Sequence, residues 1–164
     1  MGRAIVMTSG KGGTGKTTSA GAIGSCLASL GYKTLCLDGD VGLKNLDLSL
    51  GLTDIALLDF TDVLFGRASL EDAVTRHPEI ENLYFLTAPM GIPPEEIDAL
   101  KMHRLITQIK EEYDYCVIDS PAGIGAGFQL ASKSADMAIV VATGDASSLR
   151  DGQKVVTELR KLGL

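Results

Sequence analysis

The strongest constraint on the fold lies near the start of the chain, in the eight residues Gly10-Lys11-Gly12-Gly13-Thr14-Gly15-Lys16-Thr17. They fit the phosphate-binding loop pattern of a glycine, any four residues and then Gly-Lys-Ser/Thr. An apolar stretch, Ala4–Met7, precedes the loop, and a small-residue stretch suited to a helix, Thr18–Leu30, follows it. A phosphate-binding loop requires this order of strand, loop and helix, so the sequence predicts an α/β nucleotide-binding domain.

The residues of the loop contribute different interactions to the predicted phosphate site. Its glycines allow backbone N–H groups to turn toward phosphate oxygens, and the helix that follows adds the partial positive charge of its N-terminus. Lys16 would place its ammonium on the β- and γ-phosphates, and Thr17 would offer its hydroxyl to Mg²⁺. The alternative, a glycine-rich turn that binds nothing, is disfavoured because pattern and context agree. The predicted nucleotide contacts are Gly10, Lys11, Gly12, Gly13, Thr14, Gly15, Lys16, Thr17 and Thr18.

Two acidic strand ends supply candidate groups for the metal and for water. Asp38-Gly39-Asp40 closes the apolar stretch that begins at Thr34, and Tyr115–Asp119 is a second apolar strand that ends in an acid. The carboxyl ends of strands line the ligand crevice of open α/β sheets, so these acids are expected beside the loop. Asp119 would bind Mg²⁺ through water, because Mg²⁺ keeps part of its hydration shell. For Asp38 and Asp40, an Asp-Gly turn without a ligand is the alternative.

Strands and helices alternate along the chain. The predicted strands are Arg3–Ser9, Thr34–Asp38, Leu83–Thr87, Tyr115–Asp119 and Met137–Ala142. The predicted helices are Lys16–Leu30, Phe60–Phe65, Leu70–Arg76, Pro94–Tyr113, Ala126–Lys133 and Ser147–Lys161. Apolar strands between helices are typical of a parallel sheet covered on both faces. We therefore predict a doubly wound, mainly parallel α/β sheet with helices on both faces, in a single domain over residues 1–164.

Composition excludes several other classes of protein. With 164 residues, 45% of them hydrophobic, the chain suits one globular domain, and its net charge of −6 argues against a nucleic-acid partner. No apolar run reaches the length of about eighteen residues that a membrane-spanning helix needs. Cys26, Cys36 and Cys116 lack metal-ligand spacing and are expected to be thiols of a cytoplasmic protein. His77 and His103 lack partner spacing and are expected at the surface.

The loop carries a second lysine, Lys11, which the general phosphate-loop pattern does not require. With this lysine, the string Lys11–Thr18 resembles the deviant Walker A loop of the MinD/ParA family, a SIMIBI-type group of P-loop NTPases. Asp38–Gly51 looks like switch I of the septum-site ATPases in that family, and Asp119–Ile124 looks like their switch II. Ser147–Asp151 also resembles a segment of these ATPases, and the likeness extends over essentially the whole chain.

The resemblance implies a topology and a role for each candidate residue. The implied strand order is 3-2-4-1-5, numbering the five predicted strands along the chain. Lys11 matches the lysine that reaches across a nucleotide-sandwich dimer to the partner's phosphates, although a solvated loop lysine is the alternative. Asp38 matches the metal-side acid, and Asp40 matches the acid that positions the attacking water. The implied catalytic residues are Lys11, Lys16 and Asp40, and the implied metal-side residues are Thr17, Asp38 and Asp119.

By the same resemblance, the chain is expected to bind Mg²⁺·ATP, to dimerise through it and to hydrolyse it slowly as a spatial switch in cell division. The implied partners are a second copy of the chain and protein regulators of division-site placement, with peripheral attachment to the inner membrane in a longer form. Flagellar-number and ParA-type partitioning ATPases are alternatives within the family. A nucleotide-binding switch with little turnover and a ligase or kinase such as dethiobiotin synthetase are further alternatives.

Two features depart from the family pattern. Gly125 stands where the septum-site ATPases commonly carry an acid. The sequence stops at Leu164, whereas the family continues through further strands, base-reading segments and an amphipathic membrane-targeting helix. We therefore expect a chain truncated at its C-terminal end, in which the strand Met137–Ala142 forms an open sheet edge. The expectation of ATP comes from the resemblance, because the base-reading segments of the family lie beyond Leu164 and these residues do not distinguish adenine from guanine.

Overall fold

The computed structural model describes residues 1–53 and 55–164 of the chain. Its strands are β1 (Arg3–Thr8), β2 (Thr34–Asp38), β3 (Thr75–Arg76), β4 (Leu83–Leu86), β5 (Tyr115–Asp119) and β6 (Met137–Val140). Its α-helices are α1 (Lys16–Ser29), α2 (Leu46–Leu50), α3 (Phe60–Leu64), α4 (Leu70–Ala73), α5 (Ala99–Glu112), α6 (Ala126–Ser132) and α7 (Ala146–Lys161). A short 3₁₀ helix covers Pro94–Glu96.

The strands of the described residues form one sheet in the order β3-β4-β2-β5-β1-β6. All neighbouring strands are parallel except β3, which pairs antiparallel with β4. With β4, β5 and β6 as the third, fourth and fifth predicted strands, the implied order 3-2-4-1-5 is confirmed. This order places β1 between β5 and β6, so the loop after β1 opens at the carboxyl edge of the sheet, beside the end of β5.

Apolar side chains cover both faces of the sheet, as the continuous apolar strands predicted. Successive residues of β1 belong to opposite faces, because the side chains of a strand alternate. Ala4 and Val6 join the core cluster that contains the buried residues of α5, α6 and α7. Ile5 and Met7 join the cluster that contains those of α1 and α2. The prediction of a doubly wound parallel sheet between helices is therefore confirmed.

Two predicted helices end or divide earlier than expected. The segment Leu70–Arg76 is helical only to Ala73, and Thr75 and Arg76 then pair with β4. A capping box at Ser69 starts this helix, while Val74 is already extended, and β-branched residues favour a strand beside an available partner. The segment Pro94–Tyr113 divides at Asp98, whose carboxylate accepts hydrogen bonds from two backbone N–H groups and starts α5 anew.

The two histidines, both predicted at the surface, differ in their burial. His103 is exposed as expected, but the expectation for His77 is wrong, because its side chain is buried. Its Nε2 lies 2.9 Å from the carbonyl oxygen of Leu50, and its Nδ1 accepts hydrogen bonds from the backbone N–H groups of Glu79 and Ile80. The imidazole thus joins the loop before β4 to the end of α2, a contact between segments distant in sequence.

The far edge of the sheet is β6. In the described part of the chain β6 pairs with β1 alone, and Met137 is 44% exposed. Helix α7, which follows β6, packs on the face of the sheet through the buried residues Val155 and Leu159. Among the residues described, no helix has both the length and the apolar character that crossing a membrane requires.

Candidate functional site

The phosphate loop lies at the carboxyl edge of the sheet, where it leaves β1 and enters α1. Because β1, β5 and β2 are neighbours, the ends of these strands bring the loop and the acidic segments together. They enclose a cavity of about 480 Å³. Its lining comprises Ser9, Gly12, Gly13, Thr14, Gly15, Lys16, Thr17, Thr18, Asp40, Leu43, Asn45, Pro121 and Ala122.

Backbone conformation explains the glycines inside the loop. Gly13 and Gly15 have φ values of +75° and +85°, in the region that side chains with a Cβ rarely adopt. A Cβ at either position would meet nothing within 4 Å, so backbone conformation and not lack of space selects glycine there. The hydroxyl oxygen of Thr14 is buried with no hydrogen-bond partner among the described residues. An unsatisfied buried hydroxyl in the wall of a cavity fits a site built for a hydrogen-bonding ligand.

Lys16 and Asp119 form an ion pair in the most buried part of the site. The Lys16 Nζ atom lies 2.5 Å from Oδ1 of Asp119, and the two side chains are 8% and 1% exposed. The same ammonium lies 3.4 Å from the hydroxyl oxygen of Thr17. The pair therefore neutralises two buried charges, and a phosphate with its metal ion would offer each of them a counter-charge.

Asp38 lies beside Asp119, because the two residues are register partners of β2 and β5. Its oxygens accept hydrogen bonds from the backbone N–H groups of Asp40, at 3.0 Å, and Leu46, at 3.3 Å. Burial raises the pKa of Asp38 to about 7. The hydrogen bond from the Asp40 N–H lowers this pKa, and the nearby charge of Asp119 raises it further. Asp38 thus organises the backbone of the switch I segment and remains poised to ionise near neutral pH.

Asp40 lines the cavity, whereas Asp38 is almost fully buried. One carboxylate oxygen of Asp40 accepts a hydrogen bond from the backbone N–H of Gly42 at 3.2 Å. The two acids of Asp38-Gly39-Asp40 therefore differ in environment as well as in position. Only Asp40 faces the space in which a water molecule could approach a bound phosphate.

The start of the switch II segment is tied to the strand and loop that precede the site. The backbone N–H of Ser120 donates to the carbonyl of Met7 at 3.1 Å, and that of Gly123 donates to the carbonyl of Ser9 at 2.8 Å. Gly123 has a φ of +86°, which explains the glycine at this turn. Pro121 and Ala122, between these two anchors, line the cavity.

Lys11 is the one predicted catalytic residue that the structure places apart from the others. It does not belong to the cavity lining, and its Nζ lies 3.1 Å and 3.3 Å from the two carboxylate oxygens of Asp145. Asp145 precedes α7 and was not recognised in the sequence, although an acid immediately before Ala-Ser-Ser and an amphipathic run is a helix N-cap signal. Its contact with a loop 134 residues away has no local signal.

Comparison with known proteins agrees with this architecture. Residues 2–163 match a family described as AAA domain. The septum site-determining protein MinD of Synechocystis sp. is 42% identical over 95% of this chain and 59% of its own length. The MinD of Thermotoga maritima is 40% identical over 99% of this chain and 60% of its own length. The chain thus spans about 60% of the length of these curated relatives.

Solved structures of MinD proteins are also similar to this chain. The cell division ATPase MinD of Pyrococcus furiosus superposes with a TM-score of 0.88 at 37% identity, covering 100% of this chain and 69% of that one. MinD of Pyrococcus horikoshii, solved as a complex with Mg-ADP, gives 0.88 at 39% identity, covering 100% of this chain and 67% of that one. The MinC:MinD complex of Aquifex aeolicus gives 0.89 at 42% identity, covering 98% of this chain and 64% of that one. Together with the deviant loop and the strand order, these matches show that the chain belongs to the MinD/ParA family of P-loop ATPases.

Proposed function

We propose that this chain is a MinD-like ATPase that binds Mg²⁺·ATP, dimerises through it and hydrolyses it slowly as a positioning switch in cell division. The observation that carries the proposal is the convergence of Lys16, Asp40 and Asp119 on one phosphate loop at the carboxyl edge of the sheet. We also propose that the 164 residues act as one nucleotide-binding domain.

Phosphate binding follows from the loop and the helix behind it. The left-handed glycines Gly13 and Gly15 shape the loop around the cavity, and the N-terminus of α1 adds a partial positive charge. The unsatisfied hydroxyl of Thr14 supplies a further polar group. Lys16 provides a full positive charge for the β- and γ-phosphates, at a position that is already desolvated.

The metal-side residues are Thr17, Asp38 and Asp119. Mg²⁺, when bound, would neutralise charge that develops on the phosphate oxygens. Thr17 offers a hydroxyl beside Lys16, and the two carboxylates lie on adjacent strands behind the loop. Binding requires Lys16 to exchange the carboxylate of Asp119 for phosphate, which leaves that carboxylate available to the hydration shell of the metal.

Hydrolysis is assigned to Asp40 and Lys11. Asp40 faces the cavity and would orient the attacking water as a hydrogen-bond acceptor. Lys11 lies outside the cavity of its own chain, so its proposed action on the phosphates of a second chain requires dimerisation. A catalytic cation that arrives only in the dimer makes turnover slow and concentration-dependent.

The proposed partners are a second copy of the chain and a regulator of division-site placement. The MinC:MinD cell division protein complex of Aquifex aeolicus, whose matched chain is 42% identical to this one, supports a protein partner. Peripheral attachment at the inner membrane is proposed for a longer form of the protein. A nucleotide-binding switch with little turnover is the second candidate, because Lys11 is held on Asp145 and not at the cavity.

Phosphate release measured over a range of protein concentrations tests the proposal. An ATPase that works as a dimer gains specific activity as concentration rises, whereas a switch with little turnover binds ATP but releases almost no phosphate. Lys16→Ala serves as the control for contaminating ATPases, because it removes the loop cation. GTP tested in parallel assigns the base. Failure of the wild-type chain to bind either nucleotide would contradict the proposal.

A further inference from the structure

A groove between helices α3 and α5 lies apart from the phosphate site. The buried residues of α5 belong to the core cluster on one face of the sheet, whereas those of α1, behind the phosphate loop, belong to the cluster on the other face. The groove is a cavity of about 230 Å³, and among the described residues it shares none with the phosphate cavity. The lining that defines this α3–α5 groove comprises Val63, Leu64, Lys101, Arg104, Leu105 and Gln108.

The α3–α5 groove has an apolar interior and a polar rim. Its four residues from α5 lie on one face of that helix, because their spacings from Lys101 are three, four and seven positions. Leu105 is 3% exposed, whereas the other three of these side chains are exposed. Val63 and Leu64 of α3 are half-buried and line the groove from the other helix. A side chain that enters the groove therefore meets apolar groups inside and charged groups at the rim.

Two cations on the rim have no close counter-charge. Lys101 and Arg104 form no ion pair within 4 Å among the residues that the structure describes. Asp98, which starts α5, uses one carboxylate oxygen to accept hydrogen bonds from the backbone N–H groups of Leu100 and Lys101. The chain as a whole carries a net charge of −6, so these cations are a local exception. Cations at the rim of an apolar cavity favour a partner that brings carboxylates.

An exposed aromatic ring lies beside the groove. Phe65 is 47% exposed, and its ring centroid lies 5.0 Å from Cζ of Arg67 and 5.3 Å from Nζ of Lys101. Cation–π contacts of this kind hold the cations near the ring without using their hydrogen-bond donors. Arg67 also pairs with Asp62 at 2.7 Å, so Lys101 is the more available of the two cations. The ring therefore extends the apolar surface next to a cation that is able to bind a carboxylate.

The size of the groove indicates what could occupy it. Sites for whole small molecules usually measure about 300–1,000 Å³, so a cavity of about 230 Å³ suits a single apolar side chain. Interfaces between proteins commonly centre on one such anchor in a pocket, with charged contacts around it. A lipid surface fits less well, because the apolar interior is recessed behind the rim and the net charge of −6 opposes approach to anionic lipids.

We infer that the α3–α5 groove is a docking site for an acidic segment of a partner protein. The segment inserts one apolar side chain between Leu64 and Leu105 and places carboxylates on Lys101 and Arg104. The planar guanidinium of Arg104 offers a carboxylate two parallel hydrogen bonds, and the Lys101 ammonium adds a second positive charge. The inference goes beyond the proposed function, because docking here requires neither a nucleotide nor a second copy of the chain.

Protection of Lys101 from acetylation tests the inference. The probe is an N-acetylated peptide of glutamates with one central leucine, added to the full chain at low micromolar concentration without nucleotide, and mass spectrometry measures the rate at each lysine. The peptide should slow acetylation of Lys101 and leave Lys133, an exposed lysine at the end of α6, unchanged. Alanine in place of the central leucine should raise the half-protecting concentration on the order of tenfold, because the apolar anchor is lost. Glutamine in place of the glutamates should abolish protection.

A charge-matched pair of variants separates the groove from the overall charge of the chain. Arg104→Gln should raise the half-protecting concentration about 1.4- to 5-fold, the usual contribution of one exposed ion pair. Arg160→Gln is the control, because it removes an exposed arginine that has no ion pair among the described residues, and it should change nothing.

Three results would overturn the inference. The first is no protection of Lys101 by the leucine peptide at millimolar concentration. The second is an equal effect of Arg104→Gln and Arg160→Gln, which would assign the binding to overall charge. The third is protection of Lys101 by vesicles of phosphatidylcholine and phosphatidylglycerol, or by a single-stranded oligonucleotide, but not by the peptide, which would assign the groove to a different class of partner.

Discussion

Removal of the Lys16 ammonium tests the buried ion pair of the site. In Lys16→Met the carboxylate of Asp119, which is 1% exposed, loses the cation that lies 2.5 Å from it. Breaking a buried pair by removing one partner costs about 3–5 kcal/mol of folding free energy, because an uncompensated charge remains. Methionine keeps most of the apolar volume of the lysine stem, so lost packing contributes little.

The reciprocal substitution should cost less. In Asp119→Asn the Lys16 ammonium lies at the wall of a solvent-open cavity and is able to turn toward water. In the double variant no buried charge remains, and neutral replacement of a buried pair is close to neutral in stability. We therefore expect the loss of stability to be largest for Lys16→Met, smaller for Asp119→Asn and largely recovered in the combination.

Urea unfolding followed by circular dichroism measures these free energies, with the four proteins compared at one pH as a double-mutant cycle. The same variants are then titrated with a fluorescent ATP analogue, and Lys16→Met should lose nearly all affinity. A free energy of unfolding for Lys16→Met within about 1 kcal/mol of wild type would refute the reasoning, because a buried carboxylate without a partner should destabilise the fold by more than that. Unchanged nucleotide affinity would remove Lys16 from the phosphate site.

Three further predictions follow from the site and the sheet. The variants Lys11→Ala and Asp40→Ala should each keep Mg²⁺·ATP binding and lower the rate of phosphate release on the order of a hundredfold. A variant with the same turnover as wild type at the same nucleotide occupancy would contradict the role of that residue. The pKa of Asp38 is raised from 3.8 to about 7, so the folded chain binds more protons than the unfolded chain and stability falls as pH rises through this window. As the pH rises from 4 to 8, the midpoint of urea unfolding should therefore fall less in Asp38→Asn than in wild type. Equal falls in the two proteins would show that another group is responsible for the pH dependence. Strand β6, Met137–Val140, carries no charge and has a free hydrogen-bonding edge in the described residues, which favours pairing with another chain. Sedimentation velocity without ATP, at a protein concentration of tens of micromolar, should therefore reveal self-association. A purely monomeric species would show that the edge is protected.

The fold was predictable because its determinants are local. The glycine spacing of the loop, the apolar strands and the acids at strand ends each depend on residues close together in sequence. A parallel sheet covered on both faces follows from uninterrupted apolar strands, since alternation is absent when both faces are buried. The order of the strands came from the family resemblance, because no property of a single strand specifies its neighbours.

Tertiary structure decided the pairings of the charged groups. Two ion pairs, Lys16 with Asp119 and Lys11 with Asp145, join residues more than a hundred positions apart. In the sequence, a lysine that faces phosphate cannot be distinguished from a lysine that is paired with an acid. The pKa of Asp38 depends on burial and on a neighbour in β5, neither of which its own segment contains. The short β3 strand and the buried His77 likewise depend on partners supplied by β4 and α2. Sequence alone therefore indicated the candidate groups of the site, whereas the packing of α7 and of the adjacent strands determined which charge each group faces.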